Sequence, residues 1–146
     1  MEQIQSNSDL LEGLSKKEKI KAIVKLRLSM IKPYLNRWTE AMQLLANPTN
    51  IINTSPSMLQ LVDDVWFLVG DKSSDFDWYA KRGLLAALYT SSELFMLSDT
   101  SFEHQNTWRF VDDRVDDLIK VVKFKNDLEQ TVEMGISTIL NKLHNK

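Results

Sequence analysis

The sequence predicts an all-α protein: one bundle of helices with an amphipathic helix at its C-terminal end. Three observations lead there. Apolar residues recur at spacings of three and four along most of the chain. Four glycines and three prolines in 146 residues are too few for the tight turns of a barrel or sandwich, or for a glycine-rich phosphate loop. A composition of 43% hydrophobic and 26% charged residues is that of one globular domain, and a chain this long buries about two thirds of its unfolded surface.

Residues 1–13 are polar and contain Glu2, Asp9 and Glu12, and are expected to form a disordered leader. Ser15 with Glu18 three residues on has the form of a capping box, and Ile20, Ile23, Val24, Leu28 and Ile31 follow at helical spacing, so a helix is expected over 16–32. Pro33 kinks or restarts it, after which Leu35, Trp38, Met42 and Leu45 mark a second stripe. Asn47 to Ser55 reads as a loop, and Ser55-Pro56 as the cap and first turn of a helix over 56–69. That helix carries Leu59, Val62, Trp66 and Val69 and ends at Gly70. After the link Asp71 to Ser74, Asp75 is expected to cap a helix over 76–97. Its run Leu84, Leu85, Ala86, Ala87, Leu88, Tyr89 is apolar almost all round, the mark of a central, buried element. Beyond Asp99-Thr100-Ser101 another helix directs Trp108, Val111, Val115, Leu118 and Val122 inward and Arg109, Asp112, Asp113, Asp116 and Asp117 outward. Residues 126–143 repeat an amphipathic pattern through Leu128, Val132, Ile136, Ile139, Leu140 and Leu143, weakened by Gly135. The organisation expected is thus a leader over 1–13, a helical domain over 14–124 and an amphipathic C-terminal helix over 125–146.

Charge and composition exclude several functions. The formal net charge of −2 supplies no positive field for non-specific nucleic-acid binding. Without cysteine there is no disulfide, thiolate nucleophile, zinc finger or iron–sulfur ligand. The two histidines, His104 and His144, share no metal-ligand spacing. No apolar run approaches the roughly 18–20 residues that cross a bilayer.

Three features remain as candidates. The aspartates Asp112, Asp113, Asp116 and Asp117 stand at i, i+4 spacing, but Arg109 and Arg114 nearby make a solvated ion-pair face the plainer reading; Asp63-Asp64 likewise reads as a polar outer face. Phe76, Trp78 and Tyr79 crowd the start of the central helix among Asp75, Asp77, Lys81 and Arg82. Such a mixture is either a partner surface or helix-end packing. The tail from Lys120 to Lys146 has a net charge of +2, and a weakly basic amphipathic helix suits either an anionic membrane or another protein.

The run VDDVWFLVGDKSSDFDWYAKRGLLAALYTSSELFMLSD, followed by TWRFVDDRVDD, closely resembles the lipid-binding protein family of ubiquinone (coenzyme Q) biosynthesis called Coq-nine. The upstream LLEGLSKKEKIKAIVKLRLSMIKPYLNRW is similar to it as well, so the likeness covers residues 11–120. The resemblance implies a TetR-like helical bundle, a homodimer, and a mitochondrial address on the matrix side of the inner membrane as a peripheral protein. It implies no enzyme, no cofactor and no nucleic acid. It implies instead a carrier that binds isoprenoid quinone intermediates and phospholipids, and presents the quinone to the di-iron demethoxyubiquinone hydroxylase.

The family's hydroxylase-contact patch maps onto Asp63 of the VDD motif, Asp75, Trp78 and Tyr79 of DFxWY, and Arg82, with Val65 at its hydrophobic position. For the lipid cavity the nominated residues are Trp66, Leu84, Leu88, Phe95, Trp108 and Val111. For membrane contact they are Leu128, Val132, Ile136, Ile139, Leu140 and Leu143. The family also carries a transit peptide and a helix-turn-helix-like region ahead of the matched part, to which nothing in this chain corresponds. The implied task is physically sensible. Drawing a polyprenyl quinone out of lipid exposes apolar area at about 25 cal/mol per Å², and a protein cavity at the bilayer surface lowers that cost.

Overall fold

The computed structural model describes residues 11–45, 48–72 and 75–144. All regular structure among them is helical: α1 (Lys16–Ile31), α2 (Leu35–Leu45), α3 (Pro48–Leu68), α4 (Asp75–Ser98) and α5 (Gln105–His144), with single 3-10 turns at Lys32–Tyr34 and Phe102–His104. This is the all-α class expected, in an arrangement that fits a TetR-like helical bundle. Of the leader, residues 1–10 lie outside the described residues.

The capping box at the start of α1 is complete. The Ser15 hydroxyl accepts from the Glu18 backbone N–H at 3.3 Å, and the Glu18 carboxylate accepts from the Ser15 N–H at 2.9 Å. The Ser15 hydroxyl also donates to the Glu18 carboxylate at 2.7 Å, and that bond, with the one from the Ser15 N–H, holds the Glu18 carboxyl below its ordinary range. At Pro33 the α-helical ladder gives way to a 3-10 turn before α2 resumes, as a residue without an N–H requires.

The loop expected over 47–55 is not observed. α3 begins at Pro48 and takes Pro56 into its interior, so Ser55-Pro56 is not a helix start. Asn, Thr and Ser each cost less than about 1 kcal/mol in a helix, and proline's fixed φ is close to the helical value. The packed second half of α3 outweighs both, through Leu61, Val62, Val65, Trp66 and Val69. Leu59, expected inward, is 57% exposed, because the buried stripe is centred two to three residues further round.

α3 stops in a Schellman motif. The N–H of Asp71 donates to Trp66 O at 3.0 Å and that of Gly70 to Phe67 O at 2.9 Å, with Gly70 at φ +72°, a conformation that a Cβ would strain. The short turn brings α4 back antiparallel to α3. α4 packs against each of the other four helices and is central as expected, but it is not buried all round. Six consecutive apolar residues sweep well past one face at 100° per residue, so Leu84 and Ala87 face outward while Leu85, Leu88 and Tyr89 enter the core. Beside Tyr89, burial pushes the Glu93 carboxyl up, against a hydrogen bond from Tyr89 and the charge of Arg27.

Asp99 organises the turn into α5. It accepts from the backbone of Ser101 (2.9 Å) and from both the backbone (2.8 Å) and the hydroxyl (2.6 Å) of Thr107. Partial burial opposes its ionisation, but these hydrogen bonds outweigh it and hold the carboxyl well below the carboxylate range. Within α5, Val111 and Val115 are wholly buried. Asp112 and Asp116, expected to pair within their own helix, instead reach across to α1: Lys25 to Asp112 and Lys21 to Asp116, both at 2.7 Å. Charge pattern along one helix says nothing of a facing lysine row.

α5 runs unbroken for 40 residues, about 60 Å at 1.5 Å per residue. No interruption marks the boundary expected near 125, and Gly135 is absorbed at a cost of about 1 kcal/mol. From Asn126 to His144 every residue is exposed, so this half of the helix projects beyond the bundle. No described helix is long and apolar enough to cross a membrane.

Candidate functional site

The turn at Gly70 sets the last turns of α3 beside the first turns of α4, and on their outer side lies an open groove of about 330 Å³. Leu59, Gln60 and Asp63 line it from α3, and Trp78, Tyr79, Arg82, Gly83 and Ala86 from α4. Arg82 is its keystone. Its Nε and Nη2 both approach Asp63 Oδ1 at 2.5 Å, and Nη1 donates to Trp78 O at 3.3 Å. Its guanidinium lies 3.8 Å over the Trp78 ring. Tyr79 meets Trp78 edge-on, with centroids 4.7 Å apart and planes at 81°.

Arg82 is only 8% exposed whereas Tyr79 is 70% exposed. The arginine therefore braces a half-buried Trp78 on which the exposed Tyr79 rests. A compensated ion pair beneath rigid aromatic area is contact chemistry, built from the residue types that dominate interface energetics.

A second ion network fixes the start of α4. Lys81 bridges Asp71 at 2.8 Å and Asp77 at 3.1 Å, and Lys125 of α5 reaches Asp77 at 2.6 Å. The Lys125 ammonium, helped by Lys81, holds the Asp77 carboxyl below its ordinary range against partial burial. Sequence reading passed over this network. The i, i+4 pair Asp77–Lys81 is visible in the sequence; Lys125, 48 residues away, is not. Also missed was Phe67, 81% exposed, which continues the Leu59–Asp63 face of α3 at i+4 spacing.

Of the residues expected in the partner patch, Asp63, Trp78, Tyr79 and Arg82 come together as one surface. Val65 does not: it is 3% exposed, turned into the core with Val62 and Leu85, because two positions along a helix is a rotation of about 200° from Asp63. The side chain of Asp75 lies outside the described residues.

The six residues expected to line a lipid cavity are dispersed. Leu88 and Val111 are packed solid at 5% and 0% exposure, and Leu84 faces outward. Phe95 stacks on Phe110 at 4.5 Å, and the Trp108 indole donates to Glu103 O. Trp66 alone of the six borders a cavity of about 570 Å³ on another side of the bundle. The six residues expected to face a membrane all lie on the projecting part of α5, each more than half exposed. Among the described residues no group of three or more His, Asp or Glu side chains is placed to hold a metal ion.

The model of the COQ9 family matches residues 51–122. Among curated proteins, the chain is 74% identical over 138 residues to the probable ubiquinone biosynthesis protein coq9, mitochondrial, of Dictyostelium discoideum, covering 94% of this chain and 45% of that one. It is 36% identical over 126 residues to the human ubiquinone biosynthesis protein COQ9, mitochondrial, covering 82% of this chain and 40% of the relative. To the Drosophila melanogaster protein of the same name it is 40% identical over 98 residues, covering 67% of this chain and 30% of the relative. The chain thus spans less than half the length of these relatives.

Proposed function

The chain belongs to the COQ9 family, and from that premise we propose that it serves ubiquinone biosynthesis in mitochondria as a non-enzymatic, lipid-binding accessory protein. In this reading it presents isoprenoid quinone intermediates to the di-iron demethoxyubiquinone hydroxylase. The observation that carries the reading is the braced aromatic surface. Trp78, Tyr79, Arg82 and Asp63, nominated by family resemblance from separate parts of the sequence, form one contiguous groove with Tyr79 standing in solvent.

Two further features support the setting. The exposed apolar stripe of α5, which begins at Val121 and Phe124 beside the bundle and continues along the projecting half to Leu143, runs for about 33 Å. Such a stripe suits peripheral contact with the matrix face of the inner membrane and its phospholipids. The outward face of α4 bears Leu84, Ala87 and Leu94 with no charged side chain among them, which suits a second copy of the chain in a homodimer.

The test is the double variant Trp78→Ala, Tyr79→Ala. It loses hydroxylase binding in a pull-down while its melting temperature stays within a few degrees of the parent. A large fall in melting temperature would return the aromatic pair to a packing role. One observation favours a second reading. The dispersal of Leu84, Leu88, Phe95, Trp108 and Val111, none of which lines the cavity beside Trp66, suits an adaptor that holds the hydroxylase without itself carrying lipid.

A further inference from the structure

A cavity larger than the aromatic groove lies away from it, at the root of the projecting helix. It has a volume of about 570 Å³, within the range of small-molecule sites. Its apolar lining is Trp66 from the end of α3 with Ile119 and Val122 of α5, and lysines border it: Lys16 and Lys17 at the start of α1, Lys81 of α4, and Lys120 and Lys123 of α5.

The two carboxylates in the lining do not cancel this charge. Asp71 is bridged by Lys81 at 2.8 Å, and Asp116 by Lys21 at 2.7 Å with Lys17 at 3.5 Å. Among the described residues Lys120 pairs only with Asp117, at 3.5 Å. Lys16 and Lys123 form no ion pair among the described residues. An apolar floor bordered by surplus ammonium groups is complementary to a molecule that is apolar at one end and anionic at the other.

We propose that this cleft binds a single-chain amphiphile with an acidic head, a phosphate or carboxylate. The chain lies on Trp66, Ile119 and Val122, and the anion sits among Lys16, Lys120 and Lys123. The volume, at about 30 Å³ per heavy atom, holds roughly 20 such atoms, room for a head with one short chain. The inference goes beyond the quinone reading, because a quinone head carries no charge for these lysines to meet. The site stands whether or not the chain carries quinone.

Dodecyl phosphate, kept below its micelle concentration, is titrated into the full chain and followed by the indole N–H resonance of Trp66, which donates to Lys81 O at 3.2 Å and reports this cleft. Dodecanol and inorganic phosphate are run alongside. The expected result is a saturable shift of the Trp66 resonance, with dodecyl phosphate bound at least tenfold more tightly than either comparison. Charge reversal at two exposed positions, Lys120→Glu with Lys123→Glu, weakens it at least tenfold with an unchanged circular dichroism spectrum. Equal binding of dodecanol would leave a plain apolar cleft, and equal binding of inorganic phosphate a plain basic patch. A Trp66 resonance that does not move would place binding elsewhere. Any of these three results overturns the proposal.

Discussion

Replacing Arg82 by lysine keeps the charge but removes the planar fork and the stacking face, so it isolates what the geometry of the groove contributes. Lysine can keep one contact to Asp63 but cannot also bond Trp78 O and lie flat on its ring. The lost cation–π contact is worth about 0.5–1 kcal/mol at a partly exposed site. The Asp63 pair, with the aspartate side chain half exposed, adds no more than about 1 kcal/mol. The free chain should therefore lose about 1–2 kcal/mol. For a domain near 150 residues that lowers the melting temperature by about 2–8 °C.

Hydroxylase affinity should fall further, because Trp78 and Tyr79 lose their brace and must be ordered on binding. A tenfold or greater rise in Kd is expected by surface plasmon resonance. Asp63→Asn weakens the same brace, so the double variant Arg82→Lys, Asp63→Asn should be less impaired than the sum of the two single variants. Unchanged affinity in Arg82→Lys, or strict additivity with Asp63→Asn, would refute the idea that the ion pair works by positioning the aromatic pair.

Other elements make separate predictions. Asp99→Ala removes three hydrogen bonds at the entry to α5 and should cost about 1–2 kcal/mol by thermal denaturation. The depressed Asp99 carboxyl contributes stability that is complete above its unfolded value, about 3.9, and is lost as pH falls through its lower folded value. An acid-unfolding series should therefore show the Asp99→Asn variant losing less stability than the parent below about pH 4. Leu28→Ala opens a cavity at a wholly buried position, and should cost about 2–5 kcal/mol in a denaturant titration with unchanged slope. Ile139→Glu with Leu143→Glu, on the projecting part of α5, should leave the melting temperature within about 1 °C and abolish flotation with anionic liposomes; retained flotation would remove the tail from the membrane reading.

Which parts of this molecule were legible in the sequence follows from how far apart the deciding atoms lie. The capping box at Ser15, the turn at Pro33 and the stop at Gly70 are fixed by residues within five positions of one another, and all three were readable. The start of α3 was not, because the weak helix preferences of residues 47–55 yield to packing contributed further along the helix. Val65 shows the same limit within the candidate surface. A family motif places it beside Asp63, but helix geometry turns it into the core. Lys125 on Asp77 and the lysine row on Asp112 and Asp116 are pairings between helices, invisible to any pattern along one of them. From composition the aromatic surface was legible only as a suspicious mixture at 75–82; the family resemblance joined Asp63 to it, and the bracing role of Arg82 needed coordinates.

In the proposed function, one surface of this chain holds the hydroxylase while the chain supplies it with quinone. Native mass spectrometry of the chain mixed with the di-iron demethoxyubiquinone hydroxylase, followed by organic extraction of the isolated complex, tests both halves together. The expected result is a complex that forms with the parent and not with Trp78→Ala, Tyr79→Ala, and that yields an isoprenoid quinone. A quinone-free complex would contradict the carrier and leave the adaptor, and a complex that survives the double variant would contradict the assigned surface.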